Sequence, residues 1–283
     1  MKSAIRSLVT TAMLATALAG RASATAVTAT TYYVSVGDSM AAGFEPIERF
    51  THGYANQLYR DVRGEIPGLR LKKLGCPGET IDTMINGGIC QYPTGSQLKE
   101  AVAFLKAHPG QIKFITIDIG GNDWLEACFD GVLIDVACTR AILPDLTAGI
   151  QFILGRLQNA APGVPIAGMT YHDPFLGFWV LAPVHGPDIA HQDQEADAVL
   201  DAGLTDAYLD SGAVVADIAG PDFFDTANFI DMVWTQKWGQ IPVNVANACK
   251  WTWFCSLNFT GDVHPNTAGY GVIAEAFEEA LGL

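Results

Sequence analysis

Residues far apart in this chain carry the side chains that acyl transfer requires. Ser39 closes the run Val34-Ser35-Val36-Gly37-Asp38-Ser39, and His264 sits far downstream in Asp262-Val263-His264-Pro265-Asn266. Acyl transfer needs an activated nucleophile, a base for its proton and donors aimed at the developing oxyanion. Ser39 can supply the hydroxyl, because Gly37 lets the backbone turn sharply at the strand end. Histidine titrates near neutrality, which suits His264 to the base role. The Ser39 N–H, the Gly78 N–H and the Asn122 side-chain amide can form an oxyanion hole. The base also needs an orienting group. Asp262, a backbone carbonyl near Gly261, or another carboxylate could each provide it.

These residues are useful only if the chain brings them to one place. Apolar, β-branched runs predict strands over 32–36, 69–74, 112–119, 164–170 and 213–217, and helical spacing predicts helices over 54–62, 97–107, 145–159, 190–209 and 267–281. Strands alternating with helices imply a parallel sheet covered by helices. Ligands of such sheets bind beyond the carboxyl ends of the strands. Ser39, Gly78 and Asn122 each follow a different predicted strand, so all three belong at that edge.

Composition narrows the setting. Residues 1–24 read as a secretory leader: Lys2 and Arg6 give a basic start, an apolar stretch runs to Ala19, and Ala22-Ser23-Ala24 is a cleavage site. The apolar stretch is shorter than the ~20 residues a membrane span needs. No linker or repeat interrupts residues 25–283, which are expected to form one domain. Loss of the leader removes Lys2, Arg6 and Arg21 and takes the net charge from −14 to −17. A surface so acidic repels nucleic acid phosphates and anionic lipid. The chain is therefore expected to work extracellularly as a monomer, without nucleic acid and without stable membrane insertion.

Six cysteines in an exported chain read as three disulfides. Sequence alone does not choose among the possible pairings. The sequential one, Cys76–Cys90, Cys128–Cys138 and Cys249–Cys255, is expected because each pair closes a short loop. Zinc is disfavoured by the lack of any C-x2-C pair. His172, Asp173, His185, His191 and Asp193 form a loose cluster without a metal-binding helical spacing, so no metal is expected there. His172 could still line the site. Aromatic residues gather late, from Phe223 and Phe224 through Trp251, Trp253 and Phe254, with Phe175, Phe178 and Trp179 before them. They are either core or a hydrophobic wall for a substrate.

Taken together, these residues resemble the SGNH, or GDSL, hydrolase family. Its first block appears as Gly37-Asp38-Ser39, with Met40 in place of the usual Leu. Its glycine block resembles Gly75-Cys76-Pro77-Gly78-Glu79-Thr80, its G-x-N-D block matches Gly120-Gly121-Asn122-Asp123, and its histidine block matches His264-Pro265-Asn266. The resemblance runs from Tyr32 to the C-terminus. It implies a three-layer α/β/α, flavodoxin-like fold with a central parallel five-stranded sheet. It also implies hydrolysis of a small ester or lipid through an acyl-serine, with no cofactor. The cysteine layout looks like that of secreted actinobacterial lipases and esterases of the family. One departure stands out: the family usually places its acid three residues before the histidine, and that position here is Gly261. Some family members work as Ser–His dyads. Asp38 and Asp123 are expected to hydrogen-bond backbone in the two catalytic turns. Rival readings are a carbohydrate acetyl esterase on the same residues and a non-catalytic binding module. An α/β-hydrolase elbow does not fit, because Met40-Ala41 breaks G-x-S-x-G.

Overall fold

A computed structural model describes residues 29–47, 50–182, 184–258 and 260–283. The leader expected over residues 1–24 lies outside the described residues. In chain order the elements are β1 (Thr31–Gly37), α1 (Ser39–Ala42), α2 (Tyr54–Val62), β2 (Leu69–Lys73), α3 (Ile81–Asn86), α4 (Gln97–Ala107), β3 (Ile112–Asp118), α5 (Gly121–Cys128), α6 (Val136–Ala160), β4 (Ile166–Met169), α7 (Phe178–Leu181), α8 (Gly186–Asp210), β5 (Val214–Ala216), β6 (Met232–Thr235), β7 (Gly239–Pro242), α9 (Val243–Trp251) and α10 (Thr267–Leu281).

Five strands form one sheet in the order β2-β1-β3-β4-β5, and every neighbouring pair is parallel. This is the flavodoxin-like order. Helices α2 and α10 pack together on one face, where Tyr54 stacks on Phe277 at 4.8 Å. Helices α4, α6 and α8 cover the other, giving three layers. Covered on both faces, β3 reads Ile-Lys-Phe-Ile-Thr-Ile-Asp and is buried at every position but Lys113. Its register with β1 sets Gly37 opposite Asp118, so the two strands end side by side.

The structure departs from the sequence reading where local punctuation misleads. Helix α6 starts at Val136 rather than 145, because Asp135 caps it by accepting from the N–H groups of Ala137 and Cys138. Pro144 stands inside that helix, where its missing donor reads as a break in sequence. A hairpin of β6 and β7 and helix α9 fill a stretch that carries no clear period. Disulfides join Cys76 to Cys90, Cys128 to Cys138 and Cys249 to Cys255. Among the described residues no helix is long and apolar enough to cross a membrane.

Candidate active site

The site grows from the end of β1. Gly37 has φ +139°, and a Cβ there would fall 2.1 Å from the Asp118 carbonyl oxygen, so the close approach of β1 and β3 requires glycine. The chain then turns through Asp38, whose carboxylate accepts from the Met40 N–H at 2.8 Å and caps α1. Ser39 is the first residue of that short helix and is 9% exposed. Fully buried Asp118 braces the turn from below. One of its oxygens accepts from the N–H groups of Asp38 (3.1 Å) and Ala41 (3.0 Å), and the other accepts from the Tyr54 hydroxyl. The Tyr171 hydroxyl donates to Asp38 at 2.8 Å. Burial raises the pKa of both acids, and the charge of Asp38 pushes Asp118 higher still.

The histidine arrives from the other end of the chain. Ser39 Oγ lies 2.9 Å from His264 Nε2, and His264 Nδ1 lies 2.8 Å from Asp262 Oδ1. With the ring proton on Nδ1, the imidazole donates to Asp262 and accepts from the serine. The same Asp262 oxygen accepts the His264 backbone N–H at 2.9 Å. That second bond folds the loop tightly enough for an acid only two residues away to reach the ring. Burial disfavours the Asp262 carboxylate, but the two hydrogen bonds and the nearby imidazole outweigh it and hold the acid below its ordinary range.

The loop around His264 is strapped on both sides. His172 Nε2 donates to the Val263 carbonyl at 2.9 Å, and the Trp253 N–H donates to the His264 carbonyl at 3.0 Å. Burial drives the pKa of His172 down to about 4, so it works as a neutral donor. Asn266 caps α10 through Ala268 and Gly269 and donates to the Lys250 carbonyl. The H-P-N motif is therefore partly a helix start, fixed against the segment closed by Cys249–Cys255.

The third group of residues comes from the turns after β2 and β3. Asn122 Nδ2 donates to the Glu79 carbonyl at 2.9 Å, which ties it to the Gly78–Glu79 turn and leaves its second amide hydrogen for another acceptor. The Asp123 carboxylate accepts the Ile81 N–H at 3.0 Å and links the same two turns. Its pKa is raised to about 6, chiefly by burial. Gly78 has φ +81°, and a Cβ there would meet only Ile89 Cδ1, at 3.9 Å. Buried Gln97 spans Gly37 N–H (2.6 Å), Gly37 carbonyl (2.8 Å) and Glu79 carboxylate (2.9 Å), so α4 locks the serine turn to the glycine turn.

Ser39, Asn122, His172 and His264 line one small cavity of about 100 Å³, walled by Trp124, Leu125 and Phe175. Gly78 is not among its lining residues. The GDSL-like lipase/acylhydrolase family model matches residues 35–272, which spans every turn just described. The chain belongs to this family. Among solved structures it is similar to the extracellular lipase of Streptomyces rimosus, with 18% identity, a TM-score of 0.58, and 88% of this chain and 99% of that one covered. It is also similar to phospholipase A1 of Streptomyces albidoflavus, with 16% identity, a TM-score of 0.54, and coverage of 89% and 100%. Such identities show a shared fold. No curated protein matches the sequence.

Within this GDSL-like fold the histidines of the loose histidine–carboxylate cluster separate. His172 joins the site, His185 pairs with Asp188 on the surface, His191 packs on Phe229 at 3.9 Å, and Asp173 and Asp193 accept from the Phe175 and Ile134 N–H groups. Among the described residues no group of three or more such side chains could hold a metal. The aromatics divide as well: Phe224 backs His172 at 5.0 Å, Trp234 is 69% exposed, and Phe175, Phe178 and Phe254 line a cavity beside the site. Gln97, Asp118, Tyr54 and Tyr171 escaped the sequence reading. Asp118 left one signal, an acid at the end of a β-branched strand.

Proposed function

We propose that the chain is a secreted serine hydrolase of carboxylic esters, with residues 25–283 forming one hydrolase domain. The observation that carries this reading is the relay from Ser39 Oγ to His264 Nε2 (2.9 Å) and from Nδ1 to Asp262 (2.8 Å) on the wall of an apolar cavity. Ser39 attacks the ester carbonyl as His264 takes its proton. Negative charge on the former carbonyl oxygen is met by the Ser39 N–H, the Gly78 N–H and the remaining Asn122 amide hydrogen. His264 gives its proton to the departing alkoxide, leaving an acyl-serine; it then takes a proton from the attacking water and returns it to Ser39 Oγ as the acyl–oxygen bond breaks and the acid departs. Asp262 holds the ring tautomer and stabilises the imidazolium. The acidic surface and the three disulfides favour an extracellular setting.

The test combines a fluorophosphonate probe with p-nitrophenyl esters from acetate to palmitate. Wild type is expected to be labelled and to hydrolyse esters, and Ser39→Ala to do neither. Folded, oxidised protein that takes no label and cleaves no ester would leave a binding module as the better reading. Activity on acetate alone would favour a carbohydrate acetyl esterase.

A further inference from the structure

We infer that the acyl part of the substrate is a medium or long chain, and that it leaves the serine along a second apolar cavity of about 410 Å³. This inference rests on the ester-hydrolase reading above. The cavity at Ser39 is about 100 Å³, well below the roughly 300 Å³ at which ligand sites begin. It takes the reacting carbonyl and little more. The larger cavity adjoins it, because Phe175 and Val263 line both. Past these two residues the walls are Phe129, Phe178, Leu181 and Phe254, and Thr260 is the one polar side chain in the lining. With a single hydroxyl in its lining, such a space offers few partners for a sugar and suits a hydrocarbon chain.

The walls are held in place by one another. The Phe175 ring centroid lies 5.0 Å from that of Phe129, 6.2 Å from Phe178 and 5.6 Å from Phe254, and Phe178 meets Phe254 edge-on at 5.1 Å. Phe254 is fixed by its neighbour Cys255, which is bonded to Cys249. Val263 stands between Asp262 and His264, and its carbonyl is gripped by His172. The residue that steers the chain thus belongs to the loop that carries the base. Phe178, Leu181 and Ala182, at the one-turn helix α7, are the residues that set chain length.

The experiment is kcat/KM for p-nitrophenyl acetate, octanoate and decanoate with wild type, Ala182→Phe and Phe178→Ala. Wild type should gain up to about fourfold per methylene from acetate towards octanoate, the gain expected for burying each group. Ala182→Phe fills the cavity and should cut the decanoate-to-acetate ratio tenfold or more. Phe178→Ala removes a wall and should also lower that ratio, so the inference stays testable if the first variant fails to fold. A flat or acetate-biased wild-type profile would overturn it, as would a ratio unmoved in the folded variants. Failure of the hydrolase reading looks different: no ester cleaved and no fluorophosphonate label in wild type.

Discussion

Asp262 and Asp197 are the same side chain in two settings, and the contrast explains how this chain uses its many acids. Asp262 is partly exposed and has donors on one oxygen from both the ring and the backbone of His264, so it stays charged. Asp197 lies fully buried on α8 with no hydrogen-bond partner on either oxygen. Burial, and then the nearby acids Asp201, Asp173 and Asp193, push its pKa well above the carboxylate range. Asp173 and Asp201 are pushed the same way, and Asp193 reaches about 7. Two donors and partial exposure keep Asp262 an anion, whereas full burial makes Asp197 a neutral carboxylic acid. Tyr171 links the two regions: Asp201 accepts its N–H while its hydroxyl holds Asp38 beneath the serine.

The largest effect should come from neutralising the charged member. Asp262→Asn is expected to lower kcat by about 10²–10⁴-fold with the melting temperature little changed, because it offers the wrong tautomer to His264. Near-wild-type kcat would mean that another group orients the ring. Next comes the brace below the serine. Asp118→Ala strands the Ala41 N–H and takes one partner each from the Asp38 N–H and the Tyr54 hydroxyl, and should cost about 1–3 kcal/mol of stability in a urea titration, with activity lost in parallel. A variant as stable as wild type would show that the turn holds without it. His172→Phe removes the grip on the Val263 carbonyl and should lower kcat by roughly tenfold while KM changes less. Equal loss in kcat and stability would mark His172 as a core residue only.

The smallest effect is on the neutral member and has the opposite sign. Asp197→Asn should leave kcat unchanged and raise the melting temperature by roughly 2–4 °C at pH 8, with less gain at pH 5. The sign follows from linkage. The folded state holds protons on the α8 acids that the unfolded chain releases, so their stabilisation is complete below the ordinary carboxylate pKa of 3.8 and fades as pH rises. For Asp193 it fades up to about 7. Asp262 runs the other way, and its contribution is lost as pH falls below 3.8. A melting temperature that climbs from pH 5 to pH 8 would contradict this account of α8.

Much of the frame was legible before the structure. The strand–helix alternation yields the five-stranded parallel sheet, and helices α2, α4 and α10 begin and end where their periodicity does. Legibility fails for physical reasons. Pro144 looks like a stop because a chain read alone does not show the Asp135 cap that starts the helix earlier. The spacing of Asp193, Asp197 and Asp201 puts them on one face of α8, and only the packing of α6 and the 174–177 turn against that helix buries them.

The candidate site divides in the same way. The sequence by itself determined which groups can react and where glycine must stand, because Gly37, Ser39, Asn122 and His264 act through their own chemistry in short local turns. Only the tertiary structure decided how those turns meet. The loop at Asp262 bends back on His264 through a backbone bond, Gln97 joins two turns from a third element, and a buried acid from the neighbouring strand supports the serine. The last two are contacts between residues distant in sequence, set by sheet register and helix packing, and no local pattern encodes them.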